Sequence, residues 1–143
     1  MVNLLMKTSK KSMSPKTTST YDPNEPARRP GGKPGAAPRY RVLVNKQFRR
    51  KYSELANRVG LQQAQQLWDH IASSPGAHSP LASTTILRGR AGDPKGPGWS
   101  RTGHYEVGSM ARVNYQFNDH FRTSTDGDEH RVVAILTIDY TSH

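Results

Sequence analysis

Two strand-like runs in the C-terminal third constrain this chain more than any other feature. The first, Met110-Ala-Arg-Val-Asn-Tyr-Gln-Phe117, alternates, with Ala111, Val113, Tyr115 and Phe117 on one face and Met110, Arg112, Asn114 and Gln116 on the other. That period places a charged side chain, Arg112, on the polar face of a strand otherwise built for burial. The second, Arg131-Val-Val-Ala-Ile-Leu-Thr-Ile-Asp-Tyr140, is almost continuously apolar and is followed only by Thr141-Ser-His143.

The upstream pattern supplies partners for these strands. Tyr40-Arg-Val-Leu-Val44 reads as a short alternating strand. Phe48, Tyr52, Leu55 and Val59 then recur at helical spacing across Lys46 to Arg58, and Gly60 breaks the pattern where a helix C-terminus favours a left-handed residue. Leu61 to Ala72 restores the period with Leu61, Ala64, Leu67, Trp68 and Ile71. Two amphipathic helices joined at a glycine make an αα-hairpin whose apolar face needs a sheet. Strands over about 103–108, 110–117 and 131–139, linked by Gly108-Ser109 and by 123–129, provide it. The expected fold is α+β: a small antiparallel sheet in the order β-α-α-β-β-β, with the helix pair on one face, over residues 40–143.

Residues 1–39 read differently. They carry eight Lys and Arg against Asp22 and Glu25, and no periodic apolar pattern follows Met6. Such a segment buries too little apolar surface to offset its ordering entropy, so a disordered basic tail is expected. It is either an electrostatic arm, a solvated tail or the product of an upstream start, Met6 and Met13 being alternatives. Formal charge over the whole chain is +10, which calls for an acidic partner, and nucleic acid is the commonest. The absence of cysteine removes disulfides, thiolate catalysis and Cys-based metal sites. That absence fits a cytoplasmic protein, and no apolar run approaches the roughly 20 residues of a membrane span, so a soluble one is expected. The histidines, at 70, 78, 104, 120, 130 and 143, show no metal-ligand spacing, and no cofactor motif stands out.

Metal-free cleavage of RNA needs a base for the 2′-hydroxyl, an acid for the leaving 5′-oxygen and a cation for the charged transition state. Arg112 is the candidate cation, since guanidinium matches phosphate geometry, or else a solvent-face residue. His143 suits proton transfer by residue type but sits at the chain end. Tyr140, His104 and Tyr105 are placed to reach the same end of the sheet or to pack, and Glu106 shares a face with His104 as a candidate base. Trp99 either stacks on a base or plugs a core edge. Arg88, Lys95 and Arg101 supply basic groups in and around the Gly/Pro-rich segment.

The element order, with Ile86-Leu-Arg-Gly89, Trp99-Ser-Arg101, the Arg112 strand and the terminal apolar strand, resembles the RelE/ParE superfamily of bacterial toxins, closest to its YoeB and RelE branches. The resemblance implies ribosome-dependent mRNA cleavage without a cofactor, held in check by a cognate antitoxin protein. It puts Arg112 on the family's phosphate-binding arginine and Tyr140 or His143 on its terminal catalytic position. The RelE-branch lysines are replaced by Glu106 and Gly108. A ParE-like inhibitor of DNA gyrase and a non-catalytic RNA-binding module of the same fold are the alternatives.

Overall fold

The computed structural model describes residues 21–141. Most of the expected tail and His143 lie outside the described residues. The chain runs through β1 (Asn24–Pro26), β2 (Arg41–Asn45), a 3₁₀ turn (Lys46–Phe48), α1 (Arg49–Ser53), α2 (Leu55–Val59) and α3 (Leu61–Ser73). It continues through β3 (Ser83–Ile86), a second 3₁₀ turn (Gly89–Gly92), β4 (Gly103–Val107), β5 (Ala111–Phe121) and β6 (His130–Tyr140). The strands form one six-stranded sheet in the order β1-β2-β6-β5-β4-β3. Every neighbour pair is antiparallel except β2 and β6, which run parallel. The α+β architecture, with its helical pair, is the expected one.

Helices cover one face of the sheet. Ala64, Leu67, Trp68, Ile71 and Ala72 of α3, with Leu55 and Val59 of α2, pack on Val42, Val44, Tyr105, Val107, Val113, Tyr115, Val133 and Ile135. Burying such side chains stabilises the fold by about 1.5–3 kcal/mol each. Gly60 joins α2 to α3 at φ +92°, a backbone that side chains resist, which explains the break in the period at that residue. The helix read across Lys46 to Arg58 is split: a 3₁₀ turn opens it, and Glu54 separates α1 from α2.

Two strands were not legible and are additions to the expected order. β3 pairs with β4 at one edge, and β1 pairs with β2 at the other. β1 also corrects the expectation of disorder, which does not hold over 21–39. That segment is fastened by side chains of the folded domain rather than by its own apolar content. Trp68 Nε1 donates to Ala27 O at 3.0 Å, Gln65 Nε2 to Pro30 O at 3.0 Å, and Tyr52 donates to Arg28 O. Arg29 holds Asp69 through two bonds of 2.7 and 2.9 Å, a fork geometry that makes the pair specific.

The opposite face of the sheet is only half covered. Leu43, Val132 and Ala134 form a small buried patch there, capped by Tyr21, Trp99, Phe121 and Leu136. The loop from Leu87 to Thr102 roofs the neighbouring part of β5. Beneath it Gln116 is fully enclosed, donating to Asp93 O (2.8 Å) and Thr102 Oγ1 (2.9 Å) and accepting from Lys95 N (2.9 Å). Toward the other end of β5 the roof stops, and Arg112 and Asn114 face open space.

Candidate active site

The exposed end of the uncovered face is laid out by strand register. β4, β5 and β6 place Glu106, Arg112 and Asp139 directly opposite one another, so the three side chains share a row. One pleat along, His104, Asn114 and Thr137 form a second row. Antiparallel partners sit on the same face, and alternate residues along a strand share it, so both rows face away from the helices.

Arg112, Asp139, His104, Asn114 and Thr137 floor a cleft of about 350 Å³, with Phe48 and Lys51 closing one side. A second cleft of about 310 Å³ adjoins it, lined by Glu106, Gly108, Ser109, Arg112 and Thr141. Arg112 borders both, and among the described residues nothing pairs with its guanidinium. His104 is oriented: its Nδ1–H donates to Asn114 Oδ1 at 2.6 Å, leaving Nε2 3.7 Å from Glu106 Oε2. Asn114 thereby sets which ring nitrogen is free for proton transfer. Lys51 adds a cation on the far side, its Nζ donating to Ile138 O at 3.3 Å. The tight turn into β5 needs Gly108, at φ +55°.

Of the residues the sequence pointed to, Arg112 and Glu106 come together here, and His104 joins them. The others have different places. Tyr105 lies between His104 and Glu106 in β4, so alternation turns it to the helix side, where it is 1% exposed and packs near His70; it cannot stack on a base. Tyr140 is opposite Ala111 and also faces the helices. Its hydroxyl donates to Lys51 O, Arg58 stacks on its ring at 4.5 Å, and burial pushes its phenol up to about 12. It is a packing residue and not the acid at the Arg112 cleft.

The basic segment is likewise structural for the most part. Arg101 reaches across its loop, donating through Nη2 to Leu87 O (2.9 Å) and Gly89 O (2.8 Å) and lying 3.6 Å from Asp93. A guanidinium so engaged holds the loop and is not free to clamp phosphate. Gly92 is required beneath it, since a Cβ there would fall 2.0 Å from Leu87 O. Trp99 packs edge-on against Phe121 with Lys95 over its ring at 4.4 Å, so it plugs a core edge. Arg88 is exposed on the same loop.

No family model, no curated protein and no solved structure matches this chain.

Asn114, Thr137, Asp139 and Lys51 were not identified from sequence as site residues. Asn114 was legible on the polar face beside Arg112. Thr137 and Asp139 were not, because β5 and β6 change register between Asn114 and Tyr115. Among the described residues no group of three or more His, Asp or Glu is arranged to hold a metal ion. No helix of the described residues is long and apolar enough to cross a membrane.

Proposed function

We propose that the protein is an endoribonuclease that cleaves RNA at the Arg112 cleft. The observation that carries this reading is the grouping of Arg112 with Glu106 and an oriented His104 on one open sheet face. Arg112 binds the scissile phosphate and stabilises the charge that builds on its oxygens. Glu106 accepts the proton of the 2′-hydroxyl as that oxygen attacks phosphorus. His104 in its protonated form gives the Nε2 proton to the 5′-oxygen as the P–O5′ bond breaks, leaving a 2′,3′-cyclic phosphate. Asn114 keeps the ring turned for that transfer. Compared with the roles expected from sequence, the acid moves from the chain end to β4, on a strand that holds it in place.

The more specific reading is a toxin that cuts mRNA on the ribosome and is neutralised by an antitoxin protein. It rests on the resemblance to the RelE/ParE superfamily and on the net charge of +10. A ribosome supplying the substrate geometry suits a cleft that is shallow and built from few groups. One observation favours the non-catalytic alternative: Glu106 and Asp139 flank Arg112 in register, so two carboxylates meet an incoming phosphate beside the one guanidinium.

Induction in a bacterial host with mapping of mRNA 5′ ends separates these readings, with a gyrase supercoiling assay on the purified protein. New 5′ ends inside translated codons, reduced by about 100-fold or more in Arg112→Ala, are expected. Cleavage by Arg112→Ala at the wild-type rate refutes the assignment. Intact mRNA with inhibited gyrase moves the protein to the ParE type of action.

A further inference from the structure

A second cationic cleft lies at the opposite end of the sheet. Because β2 and β6 are parallel, both begin there, beside the end of β1. Together with the segments before them they enclose about 500 Å³, into which Arg28, Arg39, Arg41, Arg131 and His130 contribute. No carboxylate is among the residues lining it. Several neighbouring cations are matched: Arg29 with Asp69, Lys46 with Asp22, Arg49 with Glu25, Arg58 with Glu54. Among the described residues none of the four arginines of this cleft has an ion-pair partner. The carboxylate beside this cleft, Asp119, is engaged by the Tyr40 hydroxyl, so four arginines around one cleft repel one another, and a bound polyanion relieves that repulsion. The aromatic groups beside them narrow the choice of polyanion. Arg41 lies over the Tyr21 ring (5.8 Å) and donates to its hydroxyl, and Tyr21 stacks on Phe121 (5.9 Å) and meets His130 edge-on (6.0 Å). Guanidinium forks fit phosphate, and half-exposed rings fit bases.

We propose that this cleft is a second, non-catalytic site that binds the phosphodiester backbone of single-stranded RNA. It is separate from the Arg112 cleft: Val132, in register with Arg41, and Asp139, in register with Arg112, are roughly 20 Å apart along β6 at about 3.3 Å per residue. An acidic protein segment meets the arginines equally well but has no use for the rings, which is why RNA is the assigned partner.

The test uses the full chain carrying Arg112→Ala, so that RNA remains intact, and a fluorescein-labelled single-stranded RNA oligonucleotide. Binding is read by anisotropy over a range of salt concentrations, with and without Arg39→Ala and Arg131→Ala together. Both side chains are exposed, and an unchanged melting temperature confirms folding. The pair should weaken binding roughly tenfold or more and reduce the slope of log K against log salt by about 1.4, at about 0.7 per phosphate contact. Arg28→Ala alone should lower the slope by about half that amount. Unchanged affinity and slope overturn the proposal. Tighter binding of the same sequence as DNA, or displacement of RNA by poly-glutamate at equal charge, overturns the RNA assignment. Cleavage by the wild-type Arg112 protein is scored separately, so either reading fails without the other.

Discussion

Gln116→Leu tests whether the loop from Leu87 to Thr102 is held by one buried amide. The side chain is 2% exposed and makes three hydrogen bonds, to Asp93 O, Thr102 Oγ1 and Lys95 N, all between 2.8 and 2.9 Å. Removing them costs about 1 kcal/mol each, near 3 kcal/mol together, since leucine leaves a backbone donor and acceptor without partners under the roof. Burying the leucine side chain offsets about 1 kcal/mol of this. A net loss of about 2 kcal/mol remains, a fall in Tm of roughly 8 °C at about 4 °C per kcal/mol for a domain of this size. Thermal unfolding gives the total. Hydrogen exchange at the Lys95 amide locates it, because that N–H has Gln116 Oε1 as its partner. A Tm within about 2 °C of wild type, or full protection of the Lys95 amide, would refute the argument that this amide fastens the roof.

Other outcomes follow from the same geometry. Gly103→Ala puts a Cβ 2.7 Å from the Tyr115 ring across the strand pair, and should cost about 1–3 kcal/mol in urea unfolding; a neutral result means that the ring is free to move. Trp68→Phe removes the bond to Ala27 O and should cost about 1–3 kcal/mol, with faster proteolysis before Arg39 as the local signature. Asn114→Ala should slow RNA cleavage and change its pH profile while leaving RNA affinity in place, as expected of a positioning residue; equal loss of affinity points to substrate contact instead. Tyr40 and Tyr115 are both pushed up to about 12, by burial first and, for Tyr40, by its bond to Asp119. The unfolded chain releases these protons near the ordinary value of 10, so stability is complete below pH 10 and lost as pH rises through 12. Urea midpoints that stay level across that interval contradict it.

The residues that were legible in sequence are those where period and packing agree. The β5 alternation placed Arg112 opposite to Val113 and Tyr115, and that is where it lies. The unbroken apolar run Val132-Val-Ala-Ile135 is buried throughout, as befits a strand between two neighbours with cover on both faces. Strand β3, Ser83-Thr-Thr-Ile86, lacked a signal because it is a mostly exposed edge with nothing apolar to bury inward. Strand β1 contains a proline and owes its order to Trp68, Gln65 and Tyr52 elsewhere, so its own residues could not announce it. Two residues of the site were hidden by a bulge. Counting by twos from the buried Ile135 sends Thr137 and Asp139 under the helices. The extra residue at the register shift turns them to the Arg112 side instead. Tyr140 misled for the same reason, since its position in the chain indicated nearness to the cleft while its face decided otherwise.

Strand β6 has a kinetic meaning beyond its place in the sheet. It is made after every other strand described, yet it alone joins the β1-β2 pair to the β3-β4-β5 group. During synthesis the two groups therefore wait as separate, unclosed edges, with the buried patches of each lacking their common neighbour. Closure requires contacts of long sequence separation, which form slowly and late. A chain stalled before His130 holds Arg112 and His104 but no Asp139 or Thr137 beside them, so neither cleft is complete. A truncation that removes β6 should therefore abolish the fold and the Arg112 cleft in one step rather than by degrees.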